Sequence, residues 1–474
     1  MGSQSMNLLS SKIWKSTIYW LGMSLMIGVV ILVFTLYLTQ SASAASITVN
    51  SYTDVVADDG QCALREAITA ANMDTASGSM PGECPAGSGA DVVNVPGGTI
   101  YFLSEGEILI FSDMEIIGEG RNSTVIDAAG TSNIFHQTGS PNSFTIRDLS
   151  LRNSAGTALQ WGGSIGSGLA TVENVLFYNN STTARGGAIF NQWELSVVDS
   201  SFQSNRSTGG PNNNGGAIYN TGTATITNSE FLNNQVDITT PSGGLGGAIS
   251  GGGLTIVDSN FVGNQAKRGG ALGIGGTNRI SNSTFSSNST QILNSGAIFV
   301  TNTGTSIINS TVSQNTNGGI EVQTGGELYI QSSTFYHNSG APNIYGAITI
   351  KNSLLYSLSG GTNCSGTITS GGYNWDNNST CTLGGTGDVS GVDPMLGQLL
   401  DNGGPTRTHA LEYGSPAIDA GNPSGCTDDV GDPILTDQRG LPRAIDGNVD
   451  GTPRCDIGAY ELEPAMIYLP LILR

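Results

Sequence analysis

The run Ile226-Thr227-Asn228-Ser229-Glu230-Phe231 returns as Ile256-Val257-Asp258-Ser259-Asn260-Phe261 and as Ile280-Ser281-Asn282-Ser283-Thr284-Phe285. Looser copies end at Leu151, Phe177, Phe202, Val312, Phe335 and Leu355, and in all nine an Ile or Val stands five residues before the last apolar residue. Successive copies lie 26, 25, 29, 30, 24, 27, 23 and 20 residues apart. A period of that size means stacked units, because one unit alone cannot bury its apolar face. Two apolar residues an odd offset apart would face opposite ways on one unbroken strand. A bend between them restores parity, and Asn-Ser or Asp-Ser is suitable bend chemistry. Each repeat therefore reads as strand, corner, strand and loop.

Stacked in register, Asp148, Asn174, Asp199, Asn228, Asp258, Asn282, Asn309 and Asn352 form one corner column, which Ser332 interrupts once. Amides stacked this way are expected to hydrogen-bond along the column, and the Asp members must accept from other donors. A second signature follows. Asn recurs three residues after the apolar position at Asn180, Asn205, Asn234, Asn264, Asn288, Asn315 and Asn338. Then comes Gly-Gly-Ala at 186–188, 215–217, 246–248 and 269–271, with Ser295-Gly296-Ala297 as a weaker copy. Paired Gly allows positive φ and close backbone approach. The fold class predicted is all-β, a right-handed parallel β-helix. Sparse Leu disfavours leucine-rich repeats, and a propeller blade would need a longer period. With strands about 4.8 Å apart, such coils build a rod roughly 40 Å long.

The chain carries 68 Gly, only 11% charged residues and a net charge of −20. Regular Ile, Val, Leu and Phe argue against disorder. The acidic balance argues against nucleic acid and anionic membranes as partners. Lys12 and Lys15 precede an apolar stretch over 18–38, followed by Ala42-Ser43-Ala44. This is the pattern of a secretory signal over 1–44. The stretch is also long enough for an uncleaved membrane anchor. Either reading places the rest outside the cytoplasm, secreted or at the cell surface. The six cysteines then favour disulfides, and local pairing is simplest: Cys62 with Cys84, Cys364 with Cys381, Cys426 with Cys455.

Residues 45–130 read as an N-terminal cap with entry coils, 131–375 as the repeats, 376–462 as a turn-rich C-terminal cap and 463–474 as a short apolar tail. Ala63 to Asn72 has one apolar face, Leu64, Ala67, Ile68 and Ala71, suited to a helical lid on the open end of the solenoid. Strands are expected at 91–95, 114–118 and 124–127. The segments Asp393-Pro-Met-Leu-Gly397, Asp401 to Thr406, Gly414 to Gly421, Asp437-Gln-Arg-Gly440 and Cys455 to Glu461 are expected to cover the far end. The tail Met466 to Arg474 is too short to span a bilayer, and reads either as a sorting tag or as a final strand.

Cys62-Ala-Leu-Arg-Glu-Ala67 resembles the CSLREA-type motif of secreted bacterial β-helix proteins, with Ala63 in place of Ser. Asp437-Gln-Arg-Gly440 and Asp456-Ile-Gly-Ala-Tyr-Glu461 are similar to the choice-of-anchor Q family. The Gly-Gly-Ala-Ile and Phe-x-x-Asn repeats resemble those of chlamydial polymorphic outer membrane proteins. The resemblance implies a surface or secreted β-helix with an adhesive role. The long C-terminal barrel of autotransporters is not in this sequence.

Asp446, Asn448 and Asp450 occupy positions 1, 3 and 5 of a calcium-loop pattern with Gly451 at position 6; position 12 is Ile457 in place of Glu, and Asp456 or Glu461 is a candidate for the closing ligand. The bland reading is an Asx-rich turn without an ion. Catalysis has thinner support. Glycoside hydrolysis needs two carboxyls facing across the bond. The adjacent pair Asp428-Asp429 lies in a Gly-rich loop, and Lys267-Arg268 is the one basic pair in the coils. His136, His337 and His409 sit in no motif. Trp161, Trp193, Tyr219 and Trp375 fall near loops and could stack on sugars. The Asn/Ser/Thr-rich loops before each Gly-Gly would line one side of the rod and offer a surface for a glycan or a surface protein. The function predicted is non-catalytic adhesion, binding or a structural role. The alternative is a polysaccharide lyase or glycoside hydrolase.

Overall fold

The computed structural model describes residues 44–464, apart from 140, 164–165, 210–212, 238, 240–242 and 303. The expected signal and the tail from 465 lie outside the described residues. The chain winds as a parallel β-solenoid of eleven turns, counted on an 11-stranded wall running from Ile108–Ile110 to Cys364–Ser365. A 24-stranded sheet, bent at the corner, supplies two more walls, and a five-stranded ladder of short pieces lies beside them. The registers join like to like: Val172 pairs Val197, Val197 pairs Ile226, Ile226 pairs Ile256 and Ile256 pairs Ile280.

Every corner residue from Asp148 to Asn352, Ser332 included, has φ between 46° and 58°. That left-handed conformation explains the residue choice, since Asn and Asp tolerate it best among residues with a Cβ. It also turns the chain so that the apolar residues on either side both point inward. Phe177, Phe202, Phe231, Phe261 and Phe285 stack with centroids 4.6–4.8 Å apart. They are fully buried.

The polar ladders differ from the expectation. At the corner the amides bond in pairs: Asn174 donates to Asp148 at 2.6 Å and Asn228 to Asp199 at 2.5 Å. A carboxylate has no N–H to pass the bond on, so the column breaks at each Asp. The continuous ladder is the second Asn signature. Asn180, Asn205, Asn234, Asn264, Asn288 and Asn315 each donate to the Oδ1 of the next Asn at 2.8–3.0 Å. Each also donates to a main-chain carbonyl of the preceding coil, as Asn234 does to Phe202. A parallel ladder joins Ser200, Ser229, Ser259, Ser283, Ser310, Ser333 and Ser353 through N–H to Oγ bonds. Both ladders are buried, so their full pairing avoids a large desolvation cost.

The Gly-Gly pairs have a steric cause. The first Gly has positive φ, as at Gly215 (66°) and Gly246 (65°). A Cβ on the second would lie 2.1 Å from a carbonyl of the next coil at Gly216 and Gly247.

The N-terminal lid is the helix Leu64–Met73, with Leu64, Ala67, Ile68 and Ala71 buried as expected. Glu66 accepts the N–H groups of Ala63 and Ala57, while Arg65 clamps Asp54 and the carbonyls of Gly106 and Glu107. The three entry strands form as Asp91–Asn94, Met114–Ile117 and Thr124–Asp127. All three expected disulfides form: Cys62–Cys84, Cys364–Cys381 and Cys426–Cys455.

The C-terminal region corrects the expectation of a simple end cap. Around the Cys364–Cys381 disulfide, Cys381 and Leu383 pack on the last part of the core. The chain beyond does something else. From about 402 to 461 it lies along the side of the later coils as a strap. Thr406 donates to the Asn282 carbonyl, Asn309 to Thr436 and Asn352 to Asp456.

Candidate ligand-binding face

A second corner with positive φ follows at Asn153, Asn179, Ser204, Asn233, Gly263, Ser287, Gln314 and His337, and the short wall between the two corners of each coil has one inward and two outward positions. One outward column runs in register Phe102, Asp127, Arg152, Tyr178, Gln203, Leu232, Val262, Ser286, Ser313, Tyr336 and Tyr356. Its neighbour includes Leu176, Ser201, Glu230, Asn260, Thr284, Thr311 and Thr334.

The strap covers the later half of both columns. Gln438 lies among Thr284, Thr311 and Thr406, accepting from Thr311 at 2.6 Å and donating to the other two at 2.8 and 2.9 Å. His409 stacks on Tyr336 at 4.2 Å, and Tyr336 stacks on Tyr356 at 4.9 Å. The His409 ring also bonds Ser313 at 2.9 Å and the Gly397 carbonyl at 2.8 Å. Burial, only partly offset by that carbonyl, lowers its pKa to about 4. Its partners therefore suit a neutral ring with the proton on Nδ1.

A knot of buried charge holds the strap in shape. Asp437 accepts from Arg439 and from the Glu461 N–H. Arg443 reaches the Asn309 side chain at 2.8 Å, the Gly458 carbonyl at 2.7 Å and Glu461 at 3.3 Å. Asp456 accepts the N–H groups of Asp419 and Leu462. Burial pushes the Asp456 and Glu461 carboxyls up, Asp456 further because Glu461 stands beside it. The Asp-Gln-Arg-Gly and Asp-Ile-Gly-Ala-Tyr-Glu blocks are thus the clamp of the strap.

The earlier half is bare. The strap's edge is marked by Asn260, which donates to the Pro405 carbonyl. On the first-corner side a cleft of about 500 Å³ is lined by Arg121, Asn174, Asp199, Asn228, Glu230 and Asn260. It shares Arg121 and Asn174 with a second cleft of about 680 Å³ that also takes in Glu119 and Val125. On the second-corner side a cleft of about 650 Å³ includes Phe102, Asp127, Asn153, Asn179, Thr183 and Thr208. Phe102 is 54% exposed and Tyr178 44% exposed.

Several residues singled out in the sequence lie elsewhere. Trp161, Trp193 and Trp375 are buried, with their indole N–H groups on the carbonyls of Gly168, Gly163 and Val392. Trp161 and Trp193 belong to the main core and Trp375 to the smaller cluster beneath the strap. Tyr219 takes the Arg185 guanidinium over its ring at 4.6 Å. Asp428 and Asp429 grip Arg279 at 2.8 and 2.9 Å, an anchor for the strap. Arg268 lies over Phe299 and near Glu321. His136 pairs with Glu107.

Asp446, Asn448 and Asp450 form an exposed turn whose side-chain oxygens accept the N–H groups of Asp450, Gly451 and Thr452. Asp456 points into the strap clamp instead. Among the described residues no three His, Cys, Asp or Glu side chains are grouped to hold a metal ion. The loops before Gly-Gly fall partly outside the described residues. The bare face lies on the other side of the second corner, and composition gave no sign of it, because its residues belong to the repeat itself.

No family model and no curated protein matches the sequence. Among solved structures, the chain is similar to pectate lyase Pel9A, with 13% identity, TM-score 0.44, and coverage of 90% of this chain and 98% of that one. It is similar to a rhamnogalacturonan lyase at 12% identity and TM-score 0.37, covering 69% of this chain and 89% of the other. It is similar to a PL6 alginate lyase at 10% identity and TM-score 0.34, covering 79% and 89%. At such identities the residues of one chain do not map onto those of another.

Proposed function

We propose that this is an exported, non-catalytic β-helix protein that binds glycan on the open half of its outer wall. The observation that carries the reading is the division of that wall. The chain covers the later coils with its own strap and leaves the earlier coils bare, with exposed aromatics flanked by polar clefts. Clefts with a few aromatic side chains and convergent polar groups are the usual form of a ligand site. The coil spacing of about 4.8 Å is close to the length of one pyranose unit, so side chains repeat in step with a sugar chain. Three disulfides support an oxidising location outside the cytoplasm. The support for the non-catalytic part is that the carboxylates of the strap and of the ion pairs on the face are already held, while Glu119, Asp199 and Glu230 beside Arg121 line the open clefts and are the groups to exchange if cleavage is found. Asp428 and Asp429 hold the strap, Asp148 is held by Arg147 and Asn174, and Asp127 is held by Arg152.

The test is retention of the protein, from Ala45 onward, on a panel of immobilised neutral and acidic polysaccharides, with an assay for new chain ends in the same wells. Retention without new ends is expected. New chain ends on any polymer would overturn the non-catalytic reading, and no retention on any polymer would overturn glycan binding.

A further inference from the structure

We infer that the open face takes a neutral, unbranched glycan lying along the solenoid axis, with Phe102 and Tyr178 as its two stacking platforms; this rests on the glycan-binding reading above. The two rings belong to one outward column and stand three coils apart, about 14 Å. That is close to three pyranose steps, so one chain can meet both rings. Between them lies the Asp127–Arg152 ion pair at 2.7 Å, with Asn153 donating to the same carboxylate at 2.9 Å. The ion pair leaves this strip without net charge.

In the covered half of the same column, His409 stacks on Tyr336 at 4.2 Å and bonds the Ser313 hydroxyl of the preceding coil, while Tyr356 stacks on Tyr336 from the following coil at 4.9 Å. The column thus already pairs an aromatic with a planar ring whose edge bonds a neighbouring hydroxyl. At Tyr178 and Phe102 the neighbouring polar groups are Asn179 and Thr183. A pyranose with equatorial substituents offers such a flat C–H face and hydroxyl edge.

Charge selects the ligand class. The face is rimmed by Glu119, Asp199 and Glu230 with Arg121 among them, on a chain of net charge −20. A uronate polymer would set its carboxylates against these.

The experiment is calorimetric titration of the protein with cellohexaose, mannohexaose and hexagalacturonate, repeated with Phe102→Ala and Tyr178→Ala. Both side chains are exposed, so both variants are expected to fold, and unchanged circular dichroism and melting verify that. The expected result is binding of a neutral hexaose, no binding of hexagalacturonate, and affinity at least about tenfold weaker in each variant. Neutral binding unchanged in both variants would overturn the platform while leaving glycan binding intact. Tighter binding of hexagalacturonate would overturn the ligand class. Binding of no oligosaccharide here, together with retention on a polymer in the wider panel, would overturn this inference alone. Failure of both would remove the glycan reading altogether.

Discussion

Asn228 and Asn309 occupy the same position of the same repeat, with φ of 46° and 47°. Asn228 is exposed and Asn309 is 4% exposed. One donates to Asp199 and faces a cleft; the other donates to Thr436 and accepts from Arg443 of the strap. The same contrast runs through the outward column, from bare Tyr178 to Tyr336 beneath His409. Identical local structure therefore serves two ends, and what separates them is whether a distant segment lies on top. The left-handed corner is a local requirement. The partners of its side chain are not.

The largest effect should come from the clamp. Arg443→Ala leaves Glu461 and Asn309 buried without their cation, and a cost of roughly 3–5 kcal/mol is expected. Denaturant unfolding should show that loss, with hydrogen exchange rising across 402–461 and unchanged around Asn180 and Asn205. Uniform exchange instead would mean that strap and coils unfold as one unit, which would weaken the division drawn here.

The covered ring sets a pH dependence. His409 has a folded pKa of about 4 against an ordinary 6.5, so its contribution is complete above pH 6.5 and is lost as pH falls toward 4. The full swing is roughly 3 kcal/mol as an upper figure. Asp456 and Glu461 act in the opposite sense. Their raised pKa values give stability that is present below the ordinary carboxyl range and lost as pH rises through the raised values. The two effects therefore oppose one another between about pH 4 and 6.5, where His409→Asn should make strap stability fall more steeply as pH rises. A profile unchanged by that substitution would mean that the ring is not buried neutral.

Asn309→Ala against Asn228→Ala is the sharpest form of the comparison. Both replace an amide that tolerates the left-handed region with Ala, which does not, at about 1 kcal/mol. Only Asn309→Ala also strands the Arg443 and Thr436 groups, adding about 1–3 kcal/mol. Equal losses at the two sites would break the contrast.

The smallest effect is expected from calcium. The Asp446, Asn448 and Asp450 oxygens already accept N–H groups of their own loop, so millimolar calcium should leave the melting temperature unchanged. A clear rise would show that the loop reopens around an ion.

The repeat unit, its parallel stacking, the helical lid and the three disulfide pairs were legible in the chain because each depends on spacing. A residue every coil in register must meet its own counterpart above and below. The corner column was found by this logic, but its bonding was misjudged. Asn180 and its successors, already singled out by position, carry the continuous ladder because every member is an amide and every member is buried. The strap was not legible as a strap. Turn-rich sequence records that a segment is irregular, and nothing local in Gln438 or Arg443 says which coil it will meet. The open face was hidden for the same reason. Sequence by itself determined a β-solenoid with its inward residues, because periodic burial is written into each repeat. Only the tertiary structure decided which outward residues stay in solvent, because that depends on where 60 later residues come to rest, through contacts spanning more than a hundred positions such as Asn309 to Arg443.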